Sequence, residues 1–295
     1  MFSTILVIAL ATIQSSIPLL FAGFAGLFSE RSGVVNIALE GFLLLGAFSG
    51  AAIMQAMNGS SQTLYITAGF LGTIVAGALL ALLFAVVVIT LKADQIVSGV
   101  AINIFVGGLT VILSQAFFTA RSFNFPEVPV FIKTYFFPIL ALLIAAVTYF
   151  VLYKTRFGLR LRAVGENPLA ADTLGVNVVK MRYIAVIISG ILATFGGAYI
   201  SIFAGSFAKD MSAGRGYIAL AALIFGKWKP KGVFFAALIF GFFKAIEQFL
   251  QGGVIPTQFI QMIPYLMTII TLAGFIGRAT PPAADGIPYE KELSE

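Results

Sequence analysis

Three polar side chains lie inside long apolar stretches and are the first candidates for chemistry: Asn36, Glu40 and Asn103. A carboxylate in a bilayer is costly unless it is paired or faces a water-filled path. Glu40 therefore predicts a solute path or gate, with an ion pair to Arg31 or a lysine as the alternative. Asn36 could cap a helix or donate to a solute hydroxyl, and Asn103 could contact solute or bond across helices. Together they could hold a small polar solute.

The other reactive residue types argue against an enzyme. The sequence has no Cys and no His, so thiolate nucleophiles, disulfides, the usual general base and the commonest metal ligand are all missing. Lys244 and Glu247 are three residues apart in an apolar stretch, a spacing that favours a structural ion pair. We expect no catalysis, no metal and no cofactor bound by this chain.

The polar stretch 154–182 predicts a docking loop. Asn167 suits an N-cap, Pro168 the first helical position and Gly175 the residue after the last, which predicts a short helix over 168–174. Two turns are unstable alone in water, so the rest of the protein or a partner must supply a packing surface, and a partner at a membrane face fits better. A helix lying on lipid would have a stronger apolar face.

The elements that position these groups are membrane spans. Of 295 residues, 60% are hydrophobic and 10% charged, against about a quarter charged in soluble domains. We therefore predict an all-α polytopic protein, with one transmembrane domain over 1–277 and a short disordered cytoplasmic tail over 278–295. Nine apolar stretches, most near the ~20 residues that cross a bilayer, predict nine spans: 4–27, 34–57, 64–91, 95–119, 134–153, 183–205, 214–226, 232–251 and 258–277.

Two of these stretches need comment. The seventh would reach only ~20 Å as a helix, which predicts a partial or broken helix shielded by its neighbours. The first lacks a basic flank and a clear cleavage site, so we expect a retained helix rather than a signal peptide.

The basic residues predict the orientation. With 154–182 in the cytoplasm, 13 of the 18 Lys and Arg residues lie on that side. The positive-inside rule then puts the N-terminus outside and the C-terminus inside. Trp228, between Lys227 and Lys229, suits an interfacial anchor. Because most basic residues lie in short loops, we expect no nucleic-acid partner.

A short internal repeat suggests duplication. Gly33 followed by Ile37, Ala38 and Leu39 recurs 181 residues later as Gly214 followed by the same tripeptide at 218–220. The predicted topology makes one copy enter from the cytoplasm and the other from outside, as expected of inverted repeats around a midplane pathway. A chance match between two Gly-, Ala- and Leu-rich segments is the alternative.

Three longer motifs carry a family resemblance: SERSGVVNIALEGFLLLGAFSG from Ser29, AVGENPLAADTLGVNVVKMR in the polar loop, and GRGYIALAALIFGKWKPKG from Gly214. In combination they resemble permease subunits of ATP-binding cassette (ABC) importers in the ribose, branched-chain amino acid and nucleoside group. The nucleoside branch, served by basic-membrane-lipoprotein receptors, is the most similar. In such permeases a cytoplasmic coupling helix sits in a groove of the ATPase.

The resemblance implies specific roles and partners. Coupling falls to the matching loop positions: Glu166, Asn167, Pro168, Ala171, Asp172, Leu174 and Gly175. The expected partners are a separate ATPase subunit, a second permease that makes a heterodimer, and an extracytoplasmic solute-binding lipoprotein, all at the inner (cytoplasmic) membrane. The expected solute is a nucleoside. The alternatives are a sugar or branched-chain amino acid, or an ion-coupled secondary transporter without an ATPase, which an intramembrane Glu40 also suits.

Overall fold

Helices make up most of the computed structural model, which describes residues 2–251, 257–274 and 279–290. Short π-helical turns follow α3 (Val86–Thr90) and precede α5 (Ile132–Phe136), and strands β1 (Ser122–Asn124) and β2 (Ser206–Ala208) pair antiparallel. The helices, in chain order, are α1 (Phe2–Glu30), α2 (Leu39–Ala56), α3 (Gln62–Ala85), α4 (Gln95–Phe118), α5 (Phe137–Lys154), α6 (Arg156–Glu166), α7 (Pro168–Thr173), α8 (Val178–Ala204), α9 (Arg215–Phe225), α10 (Pro230–Leu250), α11 (Thr257–Gln261) and α12 (Ile263–Gly274).

Seven helices in the described ranges are long and apolar enough to cross a membrane, namely α1 to α5, α8 and α10. They match seven of the nine predicted stretches. The prediction of a partial helix at 214–226 is confirmed, because α9 has only 11 residues. The stretch 258–277 is divided between α11 and α12, and its last three residues lie outside the described part. The chain is thus a multi-pass protein, and nine crossings stay a prediction.

Close backbone contacts between small residues hold α2 and α8 together at the centre. A side chain at Gly46 would come within 1.9 Å of the Thr194 carbonyl oxygen, and one at Gly197 within 2.0 Å of the Leu43 carbonyl oxygen. Such contacts are the usual means of packing helices in lipid, where apolar area alone gives no driving force. Of the seven long apolar helices in the described ranges, α2 and α8 are the most buried.

The helix α2 begins five residues later than the apolar stretch that predicted it. Gly33 has a φ of +86°, and the backbone N–H of Val35 donates to Gln95 Oε1 at 2.7 Å instead of to a helical carbonyl. The chain consequently enters the membrane region without helical structure over 34–36. The region 31–38, from the end of α1 to the start of α2, is called the entry turn below.

The start of α9 meets the start of α2. A side chain at Gly216 would lie 2.3 Å from the backbone nitrogen of Glu40, so the two helices touch through backbone atoms. At 1.5 Å per residue α9 is about 16 Å long, roughly half the hydrocarbon thickness. Both repeat glycines have positive φ, +86° at Gly33 and +75° at Gly214. The two copies of the repeat thus lead into helices that meet each other.

The polar loop contains two helices where the sequence analysis expected one. The additional helix α6 buries Gly158, Leu161 and Val164 against the protein. This three-residue spacing is the apolar stripe of an amphipathic helix and was visible in the sequence. A side chain at Gly165 would lie 2.3 Å from the Arg31 carbonyl oxygen, so α6 rests directly on the entry turn.

The prediction of a disordered tail is wrong for residues 279–290, which pack on the protein. Its composition, PPAADGIP followed by charged residues, is typical of disorder. The segment is nevertheless held because its backbone finds partners: the Ala284 N–H donates to the Gly165 carbonyl oxygen at 2.9 Å, and the Ala284 side chain is buried. Arg278 and residues 291–295 lie outside the described part.

Candidate functional site

Glu40 caps a helix to which it does not belong. Its Oε1 accepts the N–H of Gly214 at 2.8 Å and its Oε2 the N–H of Gly216 at 2.7 Å. The first N–H groups of a helix have no partner within it and carry a partial positive charge, so a carboxylate there is stabilised. The alternative of an ion pair with Arg31 or a lysine is wrong: among the described residues no Lys or Arg pairs with Glu40.

Asn103, in the middle of α4, forms hydrogen bonds with the backbone at the start of α2. Its Oδ1 accepts the N–H of Gly41 at 2.7 Å, and its Nδ2 donates to the Ile37 carbonyl oxygen at 3.0 Å and to the Tyr217 hydroxyl at 3.1 Å. The interpretation of Asn103 as a residue that bonds across helices is therefore confirmed. One side chain ties α4 to the entry of α2 and to α9.

Asn36 lies apart from this pair. It is fully buried, and its Nδ2 donates to Ser189 Oγ on α8 at 2.9 Å. It does not cap α2, because the N-cap position is Ala38. Its Oδ1 is buried and has no hydrogen-bond partner in the described chain. The structure thus brings Glu40 and Asn103 together and places Asn36 on the inner side of the entry turn.

Two residues at the start of α9 were not predicted as functional. Arg215 is the first residue of α9, and its guanidinium lies close enough to Glu40 and Glu247 to feel the electrostatic attraction of both carboxylates. Tyr217 is half exposed beside Asn103. The sequence did offer a signal for these two residues, because an arginine and a tyrosine stand directly before an apolar run. The start of α9 therefore carries several polar side chains close together.

The predicted pair Lys244 and Glu247 forms, with Nζ and Oε2 2.5 Å apart and the Glu247 side chain buried. Near it, a cavity of about 230 Å³ is bordered by Gln14, Tyr199, Arg215 and Gln248. The Tyr199 hydroxyl is buried without a hydrogen-bond partner in the described residues. Polar groups thus converge between α1, α8 and α10.

The helix α7 has the predicted ends. Asn167 Oδ1 accepts the N–H of Ala170 at 3.0 Å, Pro168 is the first helical residue, and Gly175 has a φ of +80°. The backbone N–H of Gly175 donates to the Asp172 carbonyl oxygen at 2.8 Å. The assignments of Asn167 and Pro168 are confirmed; the helix ends at Thr173, one residue earlier than predicted, so Gly175 is the second residue after it and not the first.

The two faces of α7 differ. Ala171 is 3% exposed, so the rest of the protein supplies a packing surface that the sequence analysis preferred to attribute to a partner. Leu174, directly after the helix, is 84% exposed, and Leu169 is 43% exposed. Leu169 and Leu174 are thus apolar side chains left exposed at this helix, whereas Ala171 packs against the protein.

The entry turn connects the loop helices α6 and α7 to the start of α2. Arg31 Nη1 lies 3.5 Å from Glu166 Oε1, and Arg31 Nε donates to the Trp228 carbonyl oxygen at 2.9 Å. The prediction that Trp228 anchors the protein at the interface is wrong, because the indole is buried and donates to Glu30 Oε2 at 2.6 Å. The end of α6, the entry turn and the segment after α9 therefore form one hydrogen-bonded unit.

A bundle of long apolar helices with two half-length or late-starting helices that meet inside it is typical of polytopic transport proteins. Residues 8–272 match the family described as branched-chain amino acid transport system / permease component. The chain belongs to this permease family, and the resemblance carried by its three motifs is confirmed.

Named relatives and a solved structure agree. The chain is 42% identical to the guanosine ABC transporter permease protein NupQ of Bacillus subtilis, over 97% of both chains. It is 41% identical to the nucleoside ABC transporter permease protein NupC of Lactococcus lactis, over 98% of both chains. A metal-chelate type ABC transporter solved in an inward-facing conformation aligns with 90% of this chain and 85% of its own, with a TM-score of 0.52 and 17% identity, which supports the fold.

Proposed function

We propose that this chain is the transmembrane permease subunit of an ABC importer that brings nucleosides across the cytoplasmic membrane. The observation that carries the proposal is its 41–42% identity, over nearly the whole length, to two permeases named for guanosine and for nucleosides. ATP hydrolysis belongs to a separate ATPase subunit. A second permease, in a heterodimer, and an extracytoplasmic lipoprotein receptor complete the importer.

In this proposal the loop helices α6 and α7 face the cytoplasm and α7 is the coupling helix. The exposed Leu174 and Leu169 would insert into a groove of the ATPase. The loop-side excess of Lys and Arg supports this orientation, with the N-terminus outside and the C-terminus inside. Nine crossings fit that pair of ends.

The solute path would run past the meeting point of α2 and α9, between this chain and the second permease. Asn103 and Tyr217 are the partly exposed polar groups there, and Glu40 holds the two helix starts together. Asn36 would contact solute only if the entry turn opened and exposed Asn36 Oδ1, which is buried without a hydrogen-bond partner among the described residues. A nucleobase could stack against Tyr199 and Phe203, whose rings are 5.6 Å apart, at the edge of the cavity beside Arg215.

Alternating access follows from the connection between the loop and the path. ATP binding would close the ATPases and move α7, and the entry turn would pass that movement to the start of α2. Such a shift between outward and inward states needs an element with two packings and a partner that prefers one of them.

Uptake of radiolabelled nucleosides tests the proposal. Cells would carry this chain alone or with its ATPase, second permease and receptor, and ribose and leucine would serve as competing solutes. We expect nucleoside uptake only with the full set. Uptake of ribose or leucine instead would overturn the substrate, and uptake by the chain alone would favour an ion-coupled secondary transporter.

The coupling role has its own test. Gly175→Pro should abolish uptake at a normal membrane level, because proline cannot adopt the φ of +80° that ends α7. Gly59→Pro is the matched control: it imposes the same strain at a φ of +98° in the turn between α2 and α3, far along the chain from the loop. Equal uptake by both variants would contradict the assignment of α7.

A further inference from the structure

The segment 279–290, called the C-terminal strap, is attached through several polar contacts as well as through buried Ala284. Besides the Ala284 N–H that donates to Gly165, the Ile287 carbonyl oxygen accepts Arg182 Nη1 at 3.0 Å, and Glu290 pairs with Lys92 at 2.7 Å. Ile287 itself is 55% exposed. A tail that only covered apolar surface would bury such a side chain, so the attachment is directed at particular partners.

One side of the strap contacts the entry turn. Gly33 lies against it so closely that a side chain there would come within 2.9 Å of the Ala284 carbonyl oxygen. Arg182 on α8 joins the two segments, because its Nε donates to the Ser32 carbonyl oxygen at 3.2 Å while its Nη1 holds Ile287. The guanidinium is buried, and its planar fork fixes both carbonyls at once.

The other side of the strap contacts the loop helices. The Ala283 N–H donates to Glu166 Oε2 at 3.3 Å, while Oε1 of the same carboxylate faces Arg31. Tyr289 borders a groove with Asp172 of α7 and Lys180 of α8. The entry turn is therefore enclosed between α6 on one side and the strap on the other.

We propose that the C-terminal strap is a positioning element of the transport cycle, which clamps the entry turn to α6 and α7 so that movement of the coupling helix reaches α2. This inference rests on the proposed function. Without the strap, α6 would keep its contact with Arg31, but the far side of the turn would lose Ala284, and Arg182 would lose the Ile287 carbonyl oxygen. The turn could then stay behind when α7 moves.

Two truncations test the strap. One ends the chain after Arg278 and removes residues 279–295; its matched control ends after Glu290 and removes only 291–295. Each is measured in the full importer for membrane level, ATPase co-purification, ATP hydrolysis and solute uptake. We expect the shorter chain to assemble and to hydrolyse ATP while uptake falls at least tenfold, and the control to equal the full chain.

A pair of point variants covers the case in which the shorter chain fails to insert. Ala284→Pro removes the N–H that donates to Gly165, whereas Ile287→Ser changes an exposed side chain of the same strap and keeps its carbonyl. We expect only the first to raise the number of ATP molecules hydrolysed per solute. This ratio separates lost coupling from lost stability, which would lower hydrolysis and uptake together.

The contrary outcomes are distinct. Wild-type uptake by the chain that ends after Arg278, or by Ala284→Pro if that chain does not insert, would overturn the inference. Parallel loss of ATPase co-purification and uptake would also overturn it, by making the strap part of the docking surface. Because each result is a ratio to the full chain for whichever solute it transports, a failure of the nucleoside assignment would leave the test readable.

Discussion

Two short helices in this protein, α7 in the polar loop and α9 inside the bundle, are capped in opposite ways. The N-terminus of α7 is capped by Asn167, the residue directly before it. The N-terminus of α9 is capped by Glu40, 174 residues away along the chain. A local cap stabilises a helix wherever it goes, whereas a remote cap fixes one helix relative to another. The comparison indicates that α7 can move as a unit, while α9 and α2 are linked at their starts.

The largest expected effect is at the remote cap. Glu40→Ala leaves the N–H groups of Gly214 and Gly216 without an acceptor inside the bundle, and should cost about 3 kcal/mol or more in the free energy of unfolding. Thermal unfolding of the purified importer measures it. Glu40→Gln, which keeps one acceptor, should lie between alanine and the native residue. An unchanged melting temperature for Glu40→Ala would mean that the cap does not join the helices.

The strap should respond to pH. Burial raises the pKa of Asp285 from 3.8 to about 7, against the opposing attraction of Arg182 and Arg31, and Glu30 is a further charged neighbour. Because the attached strap then binds a proton that the released strap gives up, attachment weakens as pH rises from about 4 to about 7, by about 1.4 kcal/mol per unit. Above about pH 7 the strength of attachment no longer changes with pH.

Hydrogen exchange of residues 279–290 measures this effect. After correction for the intrinsic rate, opening should be about fivefold more frequent at pH 7 than at pH 6, because Asp285 is already half deprotonated near pH 7. Asp285→Asn removes the titrating group and should flatten the profile. A profile that keeps its slope in this variant would assign the dependence to another group.

The local cap should have a smaller effect. Asn167→Ala should cost about 1 kcal/mol, confined to opening of α7, because the N–H of Ala170 can turn to water at this exposed site. Faster hydrogen exchange over 168–173 with an unchanged global melting temperature would support the comparison. A global loss of stability equal to that of Glu40→Ala would break it.

The smallest effect on stability is expected at Leu174. Since this side chain is 84% exposed, Leu174→Ser should leave the melting temperature of the isolated chain unchanged. It should nevertheless reduce ATPase co-purification. Leu159→Ser on α6, 62% exposed, is the matched control and should retain the ATPase. Equal retention by both would remove Leu174 from the docking surface.

The same difference between near and remote partners decides what could be predicted from the sequence. Seven long helices follow from apolar stretches, and the ends of α7 follow from Asn167, Pro168 and Gly175, because spans and local caps depend on adjacent residues. The helix α6 could have been found from the spacing of its buried residues.

The remote contacts could not be found this way. The polar type of Glu40 marked it as functional, but nothing near it in sequence points to the N–H groups of Gly214 and Gly216. The strap has the composition of a disordered tail and is ordered by Gly165 and Arg182, which lie in other parts of the chain. The polar type of a residue therefore indicated that it matters, but its hydrogen-bond partner became visible only in the folded structure.

The 174 residues between Glu40 and Gly214 also set a waiting time during synthesis. At about 5–20 residues per second, α2 leaves the ribosome roughly 9–35 s before the backbone that receives its carboxylate. During that interval Glu40 must stay near the membrane surface or be held by an insertion factor, because a carboxylate without a partner is costly inside a bilayer. Completion of α9 ends this interval, and a chain interrupted before residue 216 lacks the second N–H group that Glu40 accepts in the folded protein.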